Sequence, residues 1–382
     1  MMQTLVDLLN TAEGLDFLAA EGVFASPQTF RARLKMPAKP GLAAELGLAN
    51  HKLVCSGQQL YVDYRHSVLS KILALQDLEQ EQELQPFFLW VDTDRTGSDS
   101  LITKFAWPQS GKKGPITIMP PGAGEVELRF ASPDPAQLTS AMDRVETFLR
   151  QSGEQRKDAK QKYQHLRLIF TAEAHPNLGQ FNLRLTNFLL AHVFGFVPRS
   201  AILSRLLESD LVLSEINLLL NHLVDGIRVF NEAIQSLTQR GINPQVTPLA
   251  DPYLPLFYSC ETDSRRLRLY HRLQGQDHFA VSACKCGREY KFYLGRHLLS
   301  VAELAQTGRW SPDVCFPIFF NDLVSGFVAG KSSAIYLIVM NQVLRKVLGK
   351  RPVPILVPES LKAKENGHGQ FDSLIYRYFT GV

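Results

Sequence analysis

Ser56-Gly57-Gln58-Gln59 sets a glycine among one hydroxyl and two carboxamides, directly after a short apolar run at 52–55. Read as a turn between a strand and a helix, it lets backbone N–H groups approach an anion, and the helix N-terminus adds partial positive charge. Lys71 stands in the helix behind it and supplies a cation if the helix returns it to the turn; the alternative is a solvated lysine beyond a polar turn. His66, in Tyr64-Arg65-His66-Ser67, is an acid–base candidate or a surface imidazole. Asp92-Thr93-Asp94 follows a second apolar run. Carboxylates there hold magnesium, a ligand hydroxyl or an amine, or else form an Asx turn or helix cap, in keeping with the Thr96, Gly97 and Ser98 that follow.

Three further groups bear chemistry. Gly330-Lys331-Ser332 has the ending of a phosphate loop, but Ser325 stands where the first glycine belongs and Gly326 comes one place late, so it is not read as one. Arg265-Arg266-Leu267-Arg268 either grips a phosphate or carboxylate bidentately or forms the wet face of a strand in which Leu267 and Leu269 alternate with it. Cys284-Lys285-Cys286-Gly287 is half of a zinc knuckle, with Cys260, His278 and Cys315 as candidates for the other half, or a hairpin with free thiols. No metal ligand is assigned on this evidence. No hydrolase elbow or His-Glu-x-x-His helix occurs.

The elements that must position these groups read as an α/β chain. A helical face runs through 5–18 and stops near Gly22; 52–55 is a strand and 68–78 a helix; 86–91 is an apolar run bounded by Pro86 and Asp92, the pattern of a strand covered on both faces. Strand, helix, strand implies a parallel crossover, with ligands beyond the C-terminal strand ends. Pro and Gly crowd 107–135 around two short β runs, 116–119 and 125–130. Helical patterns at 136–164, 182–194 and 213–239 then interrupt the sheet, and 353–357 is a last buried strand. The expected organisation is a Rossmann-like parallel-sheet core from 1–135 and 241–382, with a helical insertion at 136–240.

With 382 residues, 45% of them hydrophobic and 20% charged, the chain has ample side chain to bury, which excludes global disorder. A net charge of +4 spread along the chain gives little drive to bind a polyanion, so no nucleic-acid partner is expected. Five cysteines, an odd number in a chain too large to need stapling, suit a reducing cytoplasm. The N-terminus does not read as a signal peptide, and the longest apolar stretches, 188–197 and 211–220, are too short to span a bilayer, so no membrane partner is expected.

Taken in order, these segments resemble the bacillithiol-biosynthesis cysteine-adding enzymes, the BshC family, which look like distant relatives of pantothenate synthetase and the nucleotidyl-transferase Rossmann enzymes. The family's Thr-Gly-Gln-Gln turn and helix lysine are similar to Ser56-Gly57-Gln58-Gln59 with Lys71, and its Phe-Trp strand with a carboxylate turn is similar to Phe87-Phe88-Leu89-Trp90-Val91-Asp92-Thr93-Asp94. Leu256-Phe257-Tyr258 with Arg265, Arg266 and Arg268, then Ser311-Pro312, Pro317, Asn321-Asp322 and Gly326-Phe327-Val328-Ala329-Gly330, continue the likeness, and 354–358 matches the closing strand. The resemblance implies a ligase that joins cysteine, or a related amino acid, to an amino-sugar conjugate, with ATP or another nucleotide, and magnesium, as the implied cofactors. It implies catalytic roles for Asp92, Asp94, Lys71 and His66, and binding roles for Ser56, Gly57, Gln58, Gln59, Arg265, Arg268, Asn321, Asp322, Gly330, Lys331, Ser332 and Ser333. Departures fall at the same places: Asp94-Arg95-Thr96-Gly97 replaces the family's His-Asp stretch, and Gly330-Lys331-Ser332-Ser333 replaces Gly-Pro-Gly-Glu. The alternative is therefore a degenerate relative that binds a nucleotide or metabolite without turnover. The family's C-terminal coiled coil is absent, so the expectation is a monomer, or a dimer not built on a coiled coil.

Overall fold

The structure is a computed structural model that describes residues 2–37, 51–80, 83–97, 100–109, 112–119, 124–151, 157–171, 175–313, 322–361 and 374–380. Its centre is a six-stranded, all-parallel sheet. The strands are β1 (Val23–Phe24), β2 (Lys52–Gln59), β3 (Leu84–Val91), β6 (Ser200–Ile202), β12 (Gly326–Val328) and β13 (Ile355–Leu356), in spatial order β1-β13-β12-β2-β3-β6. Side chains alternate between its faces. Leu53, Cys55, Phe87 and Leu89 enter one apolar core with the helices Leu5–Leu9, Leu223–Gln239 and Lys331–Lys346. Val54, Phe88 and Trp90 enter the other with His66–Glu79, Pro135–Gln151, Lys157–Thr171 and Leu178–Phe194. Burial on both faces explains why 86–91 is continuously apolar, and the α/β Rossmann-like core expected from the sequence is present.

The chain leaves β2 for β3 and β6 on one side, whereas β12 and β13, reached late, fill the other side. Strand order therefore reverses between β2 and β12. The crevice beyond the C-terminal ends of such a pair is where open α/β sheets bind ligands.

Several local expectations change. β2 runs through Gln59, so Ser56-Gly57-Gln58-Gln59 is the end of a strand rather than a turn. It extends because β3 pairs with it over its whole length while β12 joins at Val54 and Cys55, and Gly57 fits there because a Cβ would lie 3.2 Å from the Leu89 carbonyl. The helix at 5–18 is two helices, Leu5–Leu9 and Ala12–Ala20, the second capped by Thr11. Residues 125–130 make isolated bridges, not a strand; the local hairpin is β4 (Lys104–Gln109) with β5 (Lys112–Thr117). The 136–240 block is not purely a helical insertion, since it contributes β6 to the main sheet and helices to both faces. Residues 241–382 contain a second sheet as well as the returning strands. It comprises β7 (Tyr253–Ser259), β8 (Arg266–Gln274), β9 (Asp277–Ala283), β10 (Glu289–Gly295) and β11 (Trp310–Pro312), antiparallel in the order β10-β9-β8-β7-β11. Leu254, Leu256, Tyr258 and Trp310 join it to the first apolar core. Among the described residues, no helix is long and apolar enough to cross a membrane.

Candidate functional site

At the β2/β12 switch point lies a cleft of about 590 Å³ whose lining includes Gln58, Gln59, Arg65, Lys71, Gly330 and Lys331. Two helices begin there. His66–Glu79 starts after Arg65, which makes no side-chain cap, and Lys331–Lys346 starts after Gly330. Their first N–H groups have no intrahelical acceptors, so both ends carry partial positive charge. Arg65, Lys71 and Lys331 add cationic side chains, and no carboxylate occurs among the described lining residues. The chemistry offered is anion binding.

Lys71 is the centre of the site. It sits in the second turn of its helix, and because helical side chains lean toward the N-terminus, its amine reaches back to the end of β2. Nζ donates to the Gly57 carbonyl at 2.6 Å and to Gln58 Oε1 at 2.9 Å, and lies 5.9 Å from the Phe88 ring centroid. Its stem passes Gly330, where a Cβ would stand 3.8 Å from Lys71 Cδ. The residue is only 4% exposed, and among the described residues no carboxylate pairs with it. Phe88, Trp90 and Tyr64, tilted against one another at centroid separations of 4.1 and 5.7 Å, are themselves buried. Burial therefore lowers the amine to about 7, with nearby Cys55 acting in the opposite direction.

From Lys71 a hydrogen-bonded chain leaves the cleft. Gln58 Nε2 donates to Gln59 Oε1 at 2.7 Å and to the Tyr61 hydroxyl at 2.9 Å; Gln59 Nε2 donates to Asp94 Oδ2 at 3.1 Å. Asp94 accepts in turn from the backbone of Arg95 and from Arg266 Nη1 at 3.4 Å. The two carboxamides are thereby oriented, with Gln58 presenting its oxygen to the amine. The loop that closes the cleft beyond β2 is pinned from the Leu178–Phe194 helix: Asn182 donates to the Leu60 carbonyl at 2.9 Å, and Thr186 to the Tyr64 hydroxyl at 3.1 Å.

Of the residues singled out in the sequence, Gln58, Gln59, Lys71, Gly330, Lys331, Ser332 and Ser333 converge on this cleft. Gly57 contributes its carbonyl to Lys71, and Ser333 Oγ accepts from the Gly330 N–H at 2.9 Å, ordering the helix start. The others do not meet there. Ser56 is fully buried and donates to the Val328 carbonyl at 2.8 Å, tying β2 to β12. His66 sits outside the lining, near the Ser360 carbonyl and Ser70. Asp92 is buried and occupied: the Ser204 N–H and hydroxyl donate to it at 3.0 and 2.5 Å, and burial raises its carboxyl despite those bonds. Asp92 is not the N-cap of a helix that follows it; it accepts from Ser204 in the first turn of the helix Leu203–Leu206, whose own N-cap residue is Ile202. Arg268 pairs with Asp313 at 2.6 Å and Arg265 with Glu125 at 3.2 Å on the second sheet, and Asp322 pairs with Lys350 at 2.6 Å. Asn321, Cys315 and Pro317 lie outside the described residues.

Tyr61, Arg65, Gln245 and Tyr336 also line the cleft and were not singled out. Arg65 belongs to the segment Tyr64-Arg65-His66-Ser67, where the histidine is the residue whose type suggests acid–base chemistry. Gln245 holds a left-handed backbone, φ 62°, with its N–H bonded to Asn243 Oδ1. The turn-forming run Gly241-Ile242-Asn243-Pro244 directly before it is the sequence signal for such a bend. No family model and no curated protein matches this chain.

Proposed function

We propose that the switch-point cleft binds a small anionic substrate, a nucleotide phosphate or the carboxylate of an amino-sugar conjugate, and that the protein is a ligase of the cysteine-adding type its segments resemble. One observation carries the reading: a buried lysine with no carboxylate partner among the described residues, oriented by Gln58 and the Gly57 carbonyl, in a cleft onto which two helix N-termini open. An anion arriving there supplies the missing counter-charge and returns Lys71 to its ammonium form. Cations so placed also stabilise charge that develops during acyl or phosphoryl transfer. The donor set fits a nucleotide's phosphates, and a bound nucleotide would supply the activation that amide formation requires. It does not fit a magnesium ion held by the protein, because the described lining lacks a carboxylate.

A second reading, binding without turnover, draws on the acidic turn. Asp92 is bonded to Ser204, and Asp94 to Gln59 and Arg266. Neither carboxylate lines the cleft as a general base. Incubation with cysteine, ATP and glucosaminyl malate, followed by mass spectrometry, separates the two. A cysteinyl adduct supports the ligase; saturable binding with no adduct supports the binder.

A further inference from the structure

Away from the cleft, the second sheet gathers three cysteines and an aspartate from two turns. Cys260 and Asp263 stand in the β7–β8 turn, and Cys284 and Cys286 in the β9–β10 turn; one ligand atom from each lies within 4.8 Å of all the others. We propose that Cys260, Asp263, Cys284 and Cys286 form a zinc site. This goes beyond the proposed function and does not depend on it.

Two edges of the cluster match those of one tetrahedral ion, and the remaining ligand atoms lie within 4.8 Å of one another. With Zn–S near 2.3 Å and Zn–O near 2.0 Å, tetrahedral edges come to about 3.8 Å between sulfurs and about 3.5 Å between sulfur and oxygen. Cys260 Sγ and Cys286 Sγ are 3.6 Å apart, and Cys284 Sγ lies 3.4 and 3.5 Å from the two Asp263 oxygens. A sulfur separation of 3.6 Å is far beyond the disulfide bond length of about 2.05 Å.

The surroundings suit thiolates. The Thr262 N–H and the Tyr290 hydroxyl point at Cys260 Sγ at 3.4 and 3.1 Å, and Arg265 holds Asp263, its N–H donating to Oδ1 at 3.1 Å. Arg309 donates to the Cys260 carbonyl at 2.7 Å, adding a cation beside the cluster. Such outer contacts orient metal ligands and offset the charge of three thiolates and a carboxylate around one divalent ion. Gly287, at φ +90°, takes the left-handed turn that brings the Cys284–Cys286 pair round, and its N–H donates to the Cys284 carbonyl at 3.0 Å. A set of three soft sulfurs and one oxygen favours zinc over magnesium or calcium. His278, another candidate partner read from the sequence, is not among the residues whose ligand atoms gather here; it contacts His271 at 2.8 Å.

On binding, each thiol gives its proton to solvent and no electrons move. The ion clips the β7–β8 turn to the β9–β10 turn. The β7–β8 turn is already closed by the Cys260 N–H bonding to the Arg265 carbonyl at 2.9 Å, and it leads straight into Arg266, which holds Asp94.

The test is metal analysis of the full chain, purified without chelator, with titration of zinc into any metal-free fraction. Cobalt substitution supplies an optical readout of thiolate ligation and tetrahedral geometry. The expected result is about one zinc per chain, intense visible cobalt bands, and at least a tenfold loss of zinc affinity in Cys286→Ser. Because Cys286 is exposed, that variant is expected to fold, which circular dichroism checks; Asp263→Asn provides a second variant that keeps all thiols. Substoichiometric zinc that titration does not raise, cobalt spectra without thiolate bands, or a native Cys260–Cys286 disulfide each overturns the proposal.

Discussion

Replacing Lys71 by Met tests the buried amine through the pH dependence of stability. Burial lowers its pKa from 10.5 to about 7. Between these values the unfolded chain binds a proton that the folded chain releases, so this site's contribution to stability is complete above pH 10.5 and is lost as pH falls toward 7. At about 1.36 kcal/mol per unit, raising the pH from about 7.5 to about 9.5 stabilises wild type relative to Lys71→Met by about 2.5 kcal/mol. Met keeps the stem against Phe88 but leaves the Gly57 carbonyl and Gln58 Oε1 without this donor. That costs about 1–3 kcal/mol for each group, independently of pH, and cancels when the two pH values are compared. Urea denaturation of both proteins at the two pH values reads the difference directly. A change below about 0.5 kcal/mol, or of opposite sign, refutes the reasoning, because it requires an amine that stays charged in the fold.

Other parts of the account make separate demands. Ser204→Ala removes the 2.5 Å donor from buried Asp92 and is expected to cost about 1–3 kcal/mol, read as a lower denaturation midpoint. Glu127 is fully buried between Arg129 at 2.7 Å and Arg266 at 3.2 Å, so Glu127→Gln leaves two arginines short of a counter-charge and should lose about 3–5 kcal/mol in the same assay. Gly326→Ala puts a Cβ 2.5 Å from Leu34 Cδ2 and 2.6 Å from Phe30 Cζ, which predicts an overpacking loss of about 1–3 kcal/mol, checked by thermal denaturation.

What the sequence displayed well were features carried by local pattern. The doubly covered strand through Phe87, Phe88, Leu89 and Trp90, the helix behind β2 and the resulting parallel unit follow from periodicity within some forty residues. What it hid depends on partners far along the chain. Ser56 read as part of a ligand turn, yet its hydroxyl is taken by Val328, 272 positions away, and the same pairing of β2 with β12 brings Gly330 beside Lys71. Asp92 was ambiguous because the residue that donates to it, Ser204, is 112 residues on. β6 has only three residues, too few to show a period inside a helical block. Cys284 and Cys286 announced half a cluster, but Asp263 carries no signal until the two turns are seen side by side.

The central claim is that Lys71 and the two helix starts make the switch-point cleft an anion site. Calorimetric titration of ATP, and separately of glucosaminyl malate, into wild type and Lys71→Met, in buffers of different ionisation heat above about pH 7.5, examines it most directly. The account predicts one binding site for at least one of these ligands, uptake of close to one proton per ligand bound, and at least a tenfold loss of affinity in the variant. Failure of both ligands to bind, or binding of equal strength in Lys71→Met with no proton uptake, contradicts it.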